Sequence, residues 1–193
     1  MTNLSRSRAI SDQKTVIVQK VLPTLIKLLQ EANPIREKAP QVLSNLVTEN
    51  EDFQKAACDA DAISSLAHFV KDPTLAVSTK LRETSLMALA AICSLKEECR
   101  KQVIDTKILP SIVAALGHQD PGVREAACQC TRSLSRSAKN LRTSLVDAGV
   151  ALPLFRLLSD DSILVKVAAC ATLCNIVLEF SPMKKVRPLA LSP

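Results

Sequence analysis

Residues 123–128 read VREAAC, and the same pattern returns 42 positions later, where residues 165–170 read VKVAAC. In each copy the apolar residues recur at intervals of three and four, which is the spacing of one face of an α-helix. Two earlier stretches, 35–47 and 81–95, carry the same periodicity. The anchors of the four predicted long helices are therefore separated by 46, 42 and 42 positions, at Ile35, Leu81, Val123 and Val165.

A shorter predicted helix precedes each long one, and three of these begin with the pair Leu-Pro, at residues 22–23, 109–110 and 152–153. Proline is well tolerated in the first turn of a helix, because its missing N–H would have no partner there. A period in the low forties that contains only helices is typical of armadillo and HEAT repeats. The sequence therefore predicts an all-α fold, a right-handed α-solenoid of about four armadillo repeats that is a fragment of a longer array.

The positions predicted to face the core follow the same period. A single repeat cannot cover its own apolar face, so neighbouring repeats have to stack against each other. In the four long helices the predicted core positions are Ile35, Ala39, Leu43 and Leu46; Leu81, Ser85, Leu89 and Ile92; Val123, Ala127, Thr131 and Leu134; and Val165, Ala169, Leu173 and Ile176.

The chain is predicted to consist of one solenoid with irregular ends. We expect a loose lead-in over residues 1–14 and an irregular tail over 183–193, where two prolines interrupt the helical pattern. The solenoid spans 15–182, with repeats at about 15–62, 63–107, 108–150 and 151–182. Neither end has the polar face of a capping repeat, so we expect a fragment, a short splice form or an incomplete gene model.

The composition limits the classes of function. Apolar residues make up 47% of the chain and aromatic residues 2%, with no Trp or Tyr, so the core must consist of aliphatic residues and Cys. The net charge of +6 could attract nucleic acid, but no aromatic side chains are available for base stacking. We expect a solvated helical surface that binds no nucleic acid, although a basic groove for acidic protein segments stays possible. No apolar stretch is long enough to cross a membrane, and the first residues do not resemble a signal peptide.

Cysteine and histidine do not form a recognisable catalytic or metal site. The seven Cys residues lie mostly within apolar helical stretches, so we expect reduced thiols packed in the core of a cytoplasmic and nuclear protein. Cys170 and Cys174 could share a helix face, but no second Cys pair completes a zinc site. His68 and His118 are far apart and have no nucleophile nearby in the sequence. We therefore expect no enzymatic activity, no cofactor, no metal and no small-molecule substrate.

Several polar positions could instead bind a protein partner. The residue after each anchor is basic, at Arg36, Arg82, Arg124 and Lys166, and Glu follows in three of the four copies. These charges could pair between neighbouring repeats or contact a ligand, and we favour the structural role.

Two further sets of residues are candidates. Asn45 and Asn175 lie ten residues after their anchors, where armadillo arrays that bind extended peptides carry Asn. Ala91 and Ser133 occupy the other two positions, and the flanking Trp of such arrays is missing. The densest basic cluster, which could contact an acidic partner, consists of Arg132, Arg136, Lys139 and Arg142.

Four short stretches resemble a particular family. Residues 133–137 (SLSRS), 141–144 (LRTS), 173–175 (LCN) and 178–182 (LEFSP) are similar to the armadillo-repeat-containing protein 8 family. The resemblance is clearest over residues 108–184 and extends more weakly to residue 16.

The resemblance implies a function as well as a fold. Members of the family form the scaffold subunit of the CTLH ubiquitin ligase complex, called GID in yeast. The resemblance implies a solenoid that bridges the RING-bearing ligase core and a substrate receptor for proteasomal degradation, with other ligase subunits as partners and no catalytic residue. The alternative is an armadillo-type peptide-cargo adaptor in nuclear import or signalling, which the missing Trp disfavours.

Overall fold

The computed structural model describes residues 13–31, 35–72, 77–136 and 139–180. The first helical residue is Gln13. Side chains of residues 139–142 and 177–180 lie outside the description. The predicted tail at 183–193 and most of the predicted lead-in at 1–14 also lie outside the described residues, so the predictions for both ends stay predictions.

The described part of the chain contains helices and no strand. A π-helical segment, Ile17–Val21, leads directly into the first α-helix. The α-helices are α1 (Leu22–Gln30), α2 (Ile35–Val47), α3 (Glu51–Asp59), α4 (Ala62–Lys71), α5 (Thr79–Ile92), α6 (Glu97–Asp105), α7 (Leu109–Leu116), α8 (Pro121–Ser135), α9 (Lys139–Asp147), α10 (Ala151–Leu157) and α11 (Ile163–Phe180). None of the described helices has the length and apolar character that crossing a membrane requires.

Local sequence explains where several helices begin and end. The Asp120 carboxylate accepts hydrogen bonds from the backbone N–H groups of Gly122 and Val123, and Pro121 occupies the first turn of α8. Ser78 caps α5 in the same way through the N–H of Leu81. These side chains satisfy N–H groups that would otherwise have no partner in the first turn. Gly149, with φ of +84°, follows α9 in the left-handed conformation that glycine adopts easily.

The long helices α2, α5, α8 and α11 pack side by side, each against the next. The short helices α1, α4, α7 and α10 pack against the long helices, and each also contacts the next short helix along the chain. The predicted period is visible in the burial, because Leu81, Val123 and Val165 are all buried at positions 42 residues apart. One continuous apolar cluster runs through all layers. The predicted stacked all-α repeat fold is confirmed.

Two buried polar side chains form hydrogen bonds to the neighbouring layer. Thr172 in α11 donates to the carbonyl of Cys128 in α8 at 3.0 Å. Gln54 in α3 is fully buried, and its amide nitrogen donates to the Ser94 hydroxyl at 2.8 Å while its amide oxygen accepts from the Leu95 N–H. Since an unpaired buried polar group is costly, these contacts favour a single alignment of neighbouring repeats.

The structure corrects two details of the predicted core. Ile35 was expected to face inward but is 50% exposed, and Leu46 is only half-buried. Both residues belong to the first of the four long helices, which has a long neighbour among the described helices on one side only. Val47 and Ser44 are buried in α2 instead. The helical period therefore identified the correct face, whereas the burial of Ile35 also depends on a neighbouring layer.

Candidate protein-interaction surface

The basic residue that follows each anchor lies at the start of its long helix and is half-buried in all four repeats. Arg124 in α8 forms the most extensive set of contacts. Its Nη1 donates to the carbonyls of His118 and Gln119, which follow the C-terminus of α7, at 2.8 and 2.7 Å. Its Nε and Nη2 donate to the two carboxylate oxygens of Asp160, at 2.7 and 2.9 Å. Arg124 therefore joins its own repeat to the link before α11.

Burial makes this ion pair stronger than an ordinary surface pair. The side chains of Arg124 and Asp160 are 16% and 7% exposed. Hydrogen bonding to Arg124 holds the pKa of Asp160 below its usual value, and Asp160 in turn raises the pKa of Arg124. Oδ1 of Asp160 also accepts a hydrogen bond from the backbone N–H of Ser162, just before α11. The pairing of Asp160 with Arg124 was not predicted from the sequence, because residues 36 positions apart meet only when the repeats stack.

Arg82 and Arg36 occupy the equivalent positions but lack a carboxylate partner on Nε. Arg82 donates through Nη2 to the carbonyl of Asp72, the residue that follows α4. The guanidinium of Arg36 lies 5.6 Å from the ring centroid of Phe69 in α4. In both arginines Nε is buried and has no hydrogen-bond partner in the part of the chain that the structure describes. Lys166, the fourth member, is half-buried and contributes to the lowered pKa of Asp160.

The Asn positions share one register on the long helices. Asn45 is exposed on α2 and accepts a hydrogen bond from Gln41 at 3.2 Å, whereas Asn175 is half-buried on α11. Ala91 and Ser133 are half-buried at the matching positions of α5 and α8. The four positions therefore form a partly polar row along the layer of long helices, and their binding to a partner stays a prediction.

The predicted basic cluster is spread across the end of α8 and the start of α9. Arg132 is half-buried, and its Nε finds no partner within the described residues. Arg136 is exposed and donates to the carbonyl of Ser94 in the preceding repeat at 3.2 Å. Lys139 begins α9 and Arg142 lies within it, but their side chains fall outside the described ones.

The cysteines have the properties of core residues in five of seven positions. Cys58, Cys93, Cys99, Cys128 and Cys130 are buried, while Cys170 and Cys174 are exposed, contrary to the prediction for these two. Burial raises the pKa of Cys128 and of Cys130 to about 12, so both thiols stay protonated and unreactive at neutral pH. Among the described residues, no three His, Cys, Asp or Glu side chains lie close enough together to hold a metal.

Cys170 is exposed because no described helix covers α11 on its outer side. Its counterparts in the preceding repeats, Leu86 and Cys128, are buried by the layer that follows each of them. Similarly, Leu158 is exposed where its counterpart Leu116 is buried. The exposed large apolar residues of the last repeat are Leu152, Phe155, Leu158, Ile163, Leu164 and Val167.

Comparisons with known structures define the class of protein. An engineered protein is 29% identical, with a TM-score of 0.77 over 84% of this chain and 66% of that chain. A designed armadillo repeat protein in complex with the peptide (KR)4 is 23% identical, with a TM-score of 0.76 and the same coverage of both chains, and shows the fold alone. A family model described as HEAT repeat matches residues 108–138. The chain is an armadillo-type α-solenoid.

Relatives in sequence define the family more narrowly. GID complex subunit 5 of Schizosaccharomyces pombe is 33% identical over 96% of this chain. Armadillo repeat-containing protein 8 of Danio rerio is 32% identical, and that of Mus musculus 30%, each over 96% of the chain. The chain is thus related at the family level to GID complex subunit 5 and armadillo repeat-containing protein 8. It spans 27% of the length of the first relative and 30% of the other two.

Proposed function

We propose that this chain is a non-catalytic scaffold of a GID/CTLH ubiquitin ligase complex, which links the ligase core to a substrate receptor for proteasomal degradation. The observation that carries the proposal is the alignment of 96% of the chain with a protein named GID complex subunit 5. The stacked helices support it, because a solenoid presents extended surfaces on which several proteins can bind at once. Its site of action is the cytoplasm and nucleus, in keeping with free rather than disulfide-bonded cysteines.

The proposed role requires binding surfaces and no reacting groups. The exposed side chains of Asn45 and Arg136, with the half-buried Asn175 and Arg132, lie on the long helices and are proposed to contact ligase subunits. Lys139 and Arg142 of α9 belong to the same proposed surface. Since burial raises the pKa of Cys128 and Cys130 to about 12, both thiols stay protonated at neutral pH, are poor nucleophiles and fit a structural role.

Affinity purification tests membership of the complex. The tagged chain, expressed in cells, should co-purify with the ligase core and the substrate receptor, each quantified by mass spectrometry. A variant that combines Asn45→Ala, Arg136→Gln and Asn175→Ala should retain its fold and lose a large part of at least one subunit. The matched control is Lys101→Gln, which removes one charge at an exposed position of α6. If no ligase subunit is enriched above an untagged control, the proposed function is wrong.

The peptide-cargo adaptor is the alternative, and the shared register of Asn45 and Asn175 favours it. An adaptor of this type should bind a Lys-rich peptide along the row of long helices, and the Asn45→Ala and Asn175→Ala changes should weaken that binding. The absence of Trp from the chain argues against a tight complex. Fluorescence anisotropy with a labelled Lys-rich peptide distinguishes the two functions, because the scaffold should bind that peptide no better than a Ser-rich control.

A further inference from the structure

The Arg124 site shows how this fold binds a carboxylate. Asp160, in the link between α10 and α11, presents both carboxylate oxygens to Nε and Nη2 of Arg124 at 2.7 and 2.9 Å. Arginine forms this two-point contact because its planar N–H groups match the geometry of a carboxylate. The third long helix therefore carries a carboxylate site that the protein fills with its own side chain.

The same position one repeat earlier has no carboxylate. Arg82 lies 42 residues before Arg124, and His118 lies 42 residues before Asp160, so an imidazole stands where the neighbouring repeat has an acid. Arg82 and His118 line one groove between α4 and α7, together with Lys71, Asp72 and Ser111. The Nε of Arg82 is buried and lacks a hydrogen-bond partner among the described residues. A buried donor of this kind is costly to leave unsatisfied.

The other polar groups of this groove fit an anionic guest. Nζ of Lys71, at the exposed rim of the groove, donates to the carbonyl of Thr106 at 3.1 Å. The Nδ1 of His118 accepts the N–H of Asp120 at 3.0 Å, so the neutral ring has its N–H on Nε2. Asp72 is the one acidic residue of the lining, and its backbone carbonyl accepts a hydrogen bond from Nη2 of Arg82. The lining of the groove thus holds two basic side chains and a further donor, against one acidic residue.

A second groove repeats the arrangement between α1 and α4. Arg36 lies 46 residues before Arg82 and lines this groove with Gln30, Ser64, Ser65 and His68. Its Nε is likewise buried without a partner in the described part of the chain. The two grooves therefore lie on the same edge of consecutive repeats, and each is lined by an arginine whose buried Nε has no hydrogen-bond partner among the described residues.

We propose that the grooves at Arg82 and Arg36 are carboxylate-binding sites that take Asp or Glu side chains from an extended acidic segment of a partner protein. At Arg82 the guest carboxylate takes the place that Asp160 takes against Arg124, and at Arg36 it pairs with the guanidinium beside Phe69. A protein segment fits because a protein carboxylate fills the third site, and because two sites in consecutive repeats suit a chain that runs along the array. The net charge of +6 attracts such a segment. The inference rests on the proposed scaffold role in one respect, because that role implies that the acidic segment belongs to another subunit of the ligase.

Peptide binding to the purified chain tests the sites directly. A fluorescently labelled peptide of alternating Asp and Gly should bind, and one of alternating Ser and Gly should not. Arg82→Lys keeps the charge but removes the two-point contact, so the affinity for the acidic peptide should fall about tenfold. The Arg36→Lys and Arg82→Lys double variant should lose binding at physiological salt. Lys101→Gln, which removes a charge outside both grooves, should bind as the unmodified chain does.

A variant that supplies its own carboxylate to Arg82 gives a second and independent measurement. His118→Asp places a carboxylate at the position that Asp160 occupies one repeat later, where it should pair with Arg82. Peptide binding at this groove should then disappear and the midpoint of thermal unfolding should rise. His118→Ala, the matched control, removes the Nε2 donor without adding a carboxylate, so it should weaken peptide binding only in part and should not gain stability.

Three outcomes would overturn the inference. In the first, Arg82→Lys and Lys101→Gln weaken peptide binding equally, which would indicate general charge attraction. In the second, His118→Asp leaves binding unchanged. In the third, inorganic phosphate binds at the grooves and the acidic peptide does not, which would assign another ligand. Because these assays use the purified chain alone, intact peptide binding together with no ligase co-purification would count against the scaffold role and not against the sites.

Discussion

At the scale of single residues, the arginines that follow two of the anchors, Arg82 and Arg124, are part of the structural framework. Arg124 contacts the carbonyls that follow α7 and the carboxylate of Asp160, and Arg82 contacts the carbonyl that follows α4. A cation near the C-terminus of a helix compensates the partial negative charge of its last carbonyls. The recurrence of a basic residue at this position therefore has a structural cause, whatever else these residues bind.

The Arg124–Asp160 pair should contribute measurably to stability. Asp160→Asn removes the charge and leaves a buried guanidinium without its carboxylate, so the free energy of unfolding should fall by about 2 kcal/mol. Urea denaturation measures the change. The control is Lys80→Gln, which breaks an exposed pair with Glu83 and should cost less than about 0.5 kcal/mol. Equal losses in the two variants would show that the Asp160 pair behaves as a surface pair.

The same pair predicts a pH dependence. Because Arg124 lowers the pKa of Asp160 in the folded protein, the stabilisation is present at neutral pH and disappears as the pH falls through that lowered value. The difference in unfolding free energy between the unmodified chain and Asp160→Asn should therefore be constant near neutrality and shrink in acid, below the usual Asp pKa of about 3.9. Denaturation curves at several pH values test this, and a difference that grows on acidification would contradict it.

The cysteines should fall into two reactivity classes. Cys170 and Cys174 are exposed on α11, while the other five are buried. An aromatic disulfide reagent that releases a coloured thiolate should react rapidly with two thiols and with all seven only in denaturant. Cys170→Ser combined with Cys174→Ser should remove the rapid phase. A rapid phase that survives in this double variant would mean that a buried position is accessible.

At the scale of helices, the position of a layer in the array decides how completely its residues are buried. Helix α5 lies between α2 and α8, whereas α11 packs against α8 and has no described long helix on its other side. Leu89 in α5 is fully buried, and Leu173, at the matching position of α11, retains 7% exposure. Identical residues at matching positions therefore allow the effect of a covering layer to be measured.

Truncation of these two leucines should reveal that effect. Leu89→Ala and Leu173→Ala should each destabilise the protein within the range of about 2–5 kcal/mol that applies to buried leucines, with the larger loss for Leu89. Chemical denaturation of both variants under identical conditions gives the comparison. A loss below about 0.5 kcal/mol for Leu173 would be typical of a surface residue and would remove it from the core.

Sequence periodicity predicted the helices well and their environment less well. The predicted bounds 35–47 agree with α2, and the predicted Leu-Pro start at 109–110 agrees with the start of α7, because apolar spacing and proline positions depend on local sequence. The exposure of Ile35 and Cys170 was not predicted, because the period identifies a face but not whether another layer covers it. Similarly, the meeting of Arg124 with Asp160 depends on how one repeat is placed against the next. The arginine grooves were beyond prediction for the same reason.

At the scale of the whole molecule, the stacked layers share one apolar core and leave long surfaces open to other proteins. Each repeat contacts its neighbours, so the length of the surface grows with the number of repeats. The polar row of Asn45 and Asn175 runs along the long helices, and the two arginine grooves lie between short helices. A molecule of this shape can hold two partners at once, which is the property that a link between a ligase core and a substrate receptor requires.

Reconstitution with purified components tests this link most directly. The ligase core and the substrate receptor should be mixed with and without the chain and separated by size-exclusion chromatography. The account predicts that the receptor elutes with the core only when the chain is present, in near-equal molar amounts. If the receptor joins the core equally well without the chain, or if the chain binds neither component, the proposed scaffold function is contradicted.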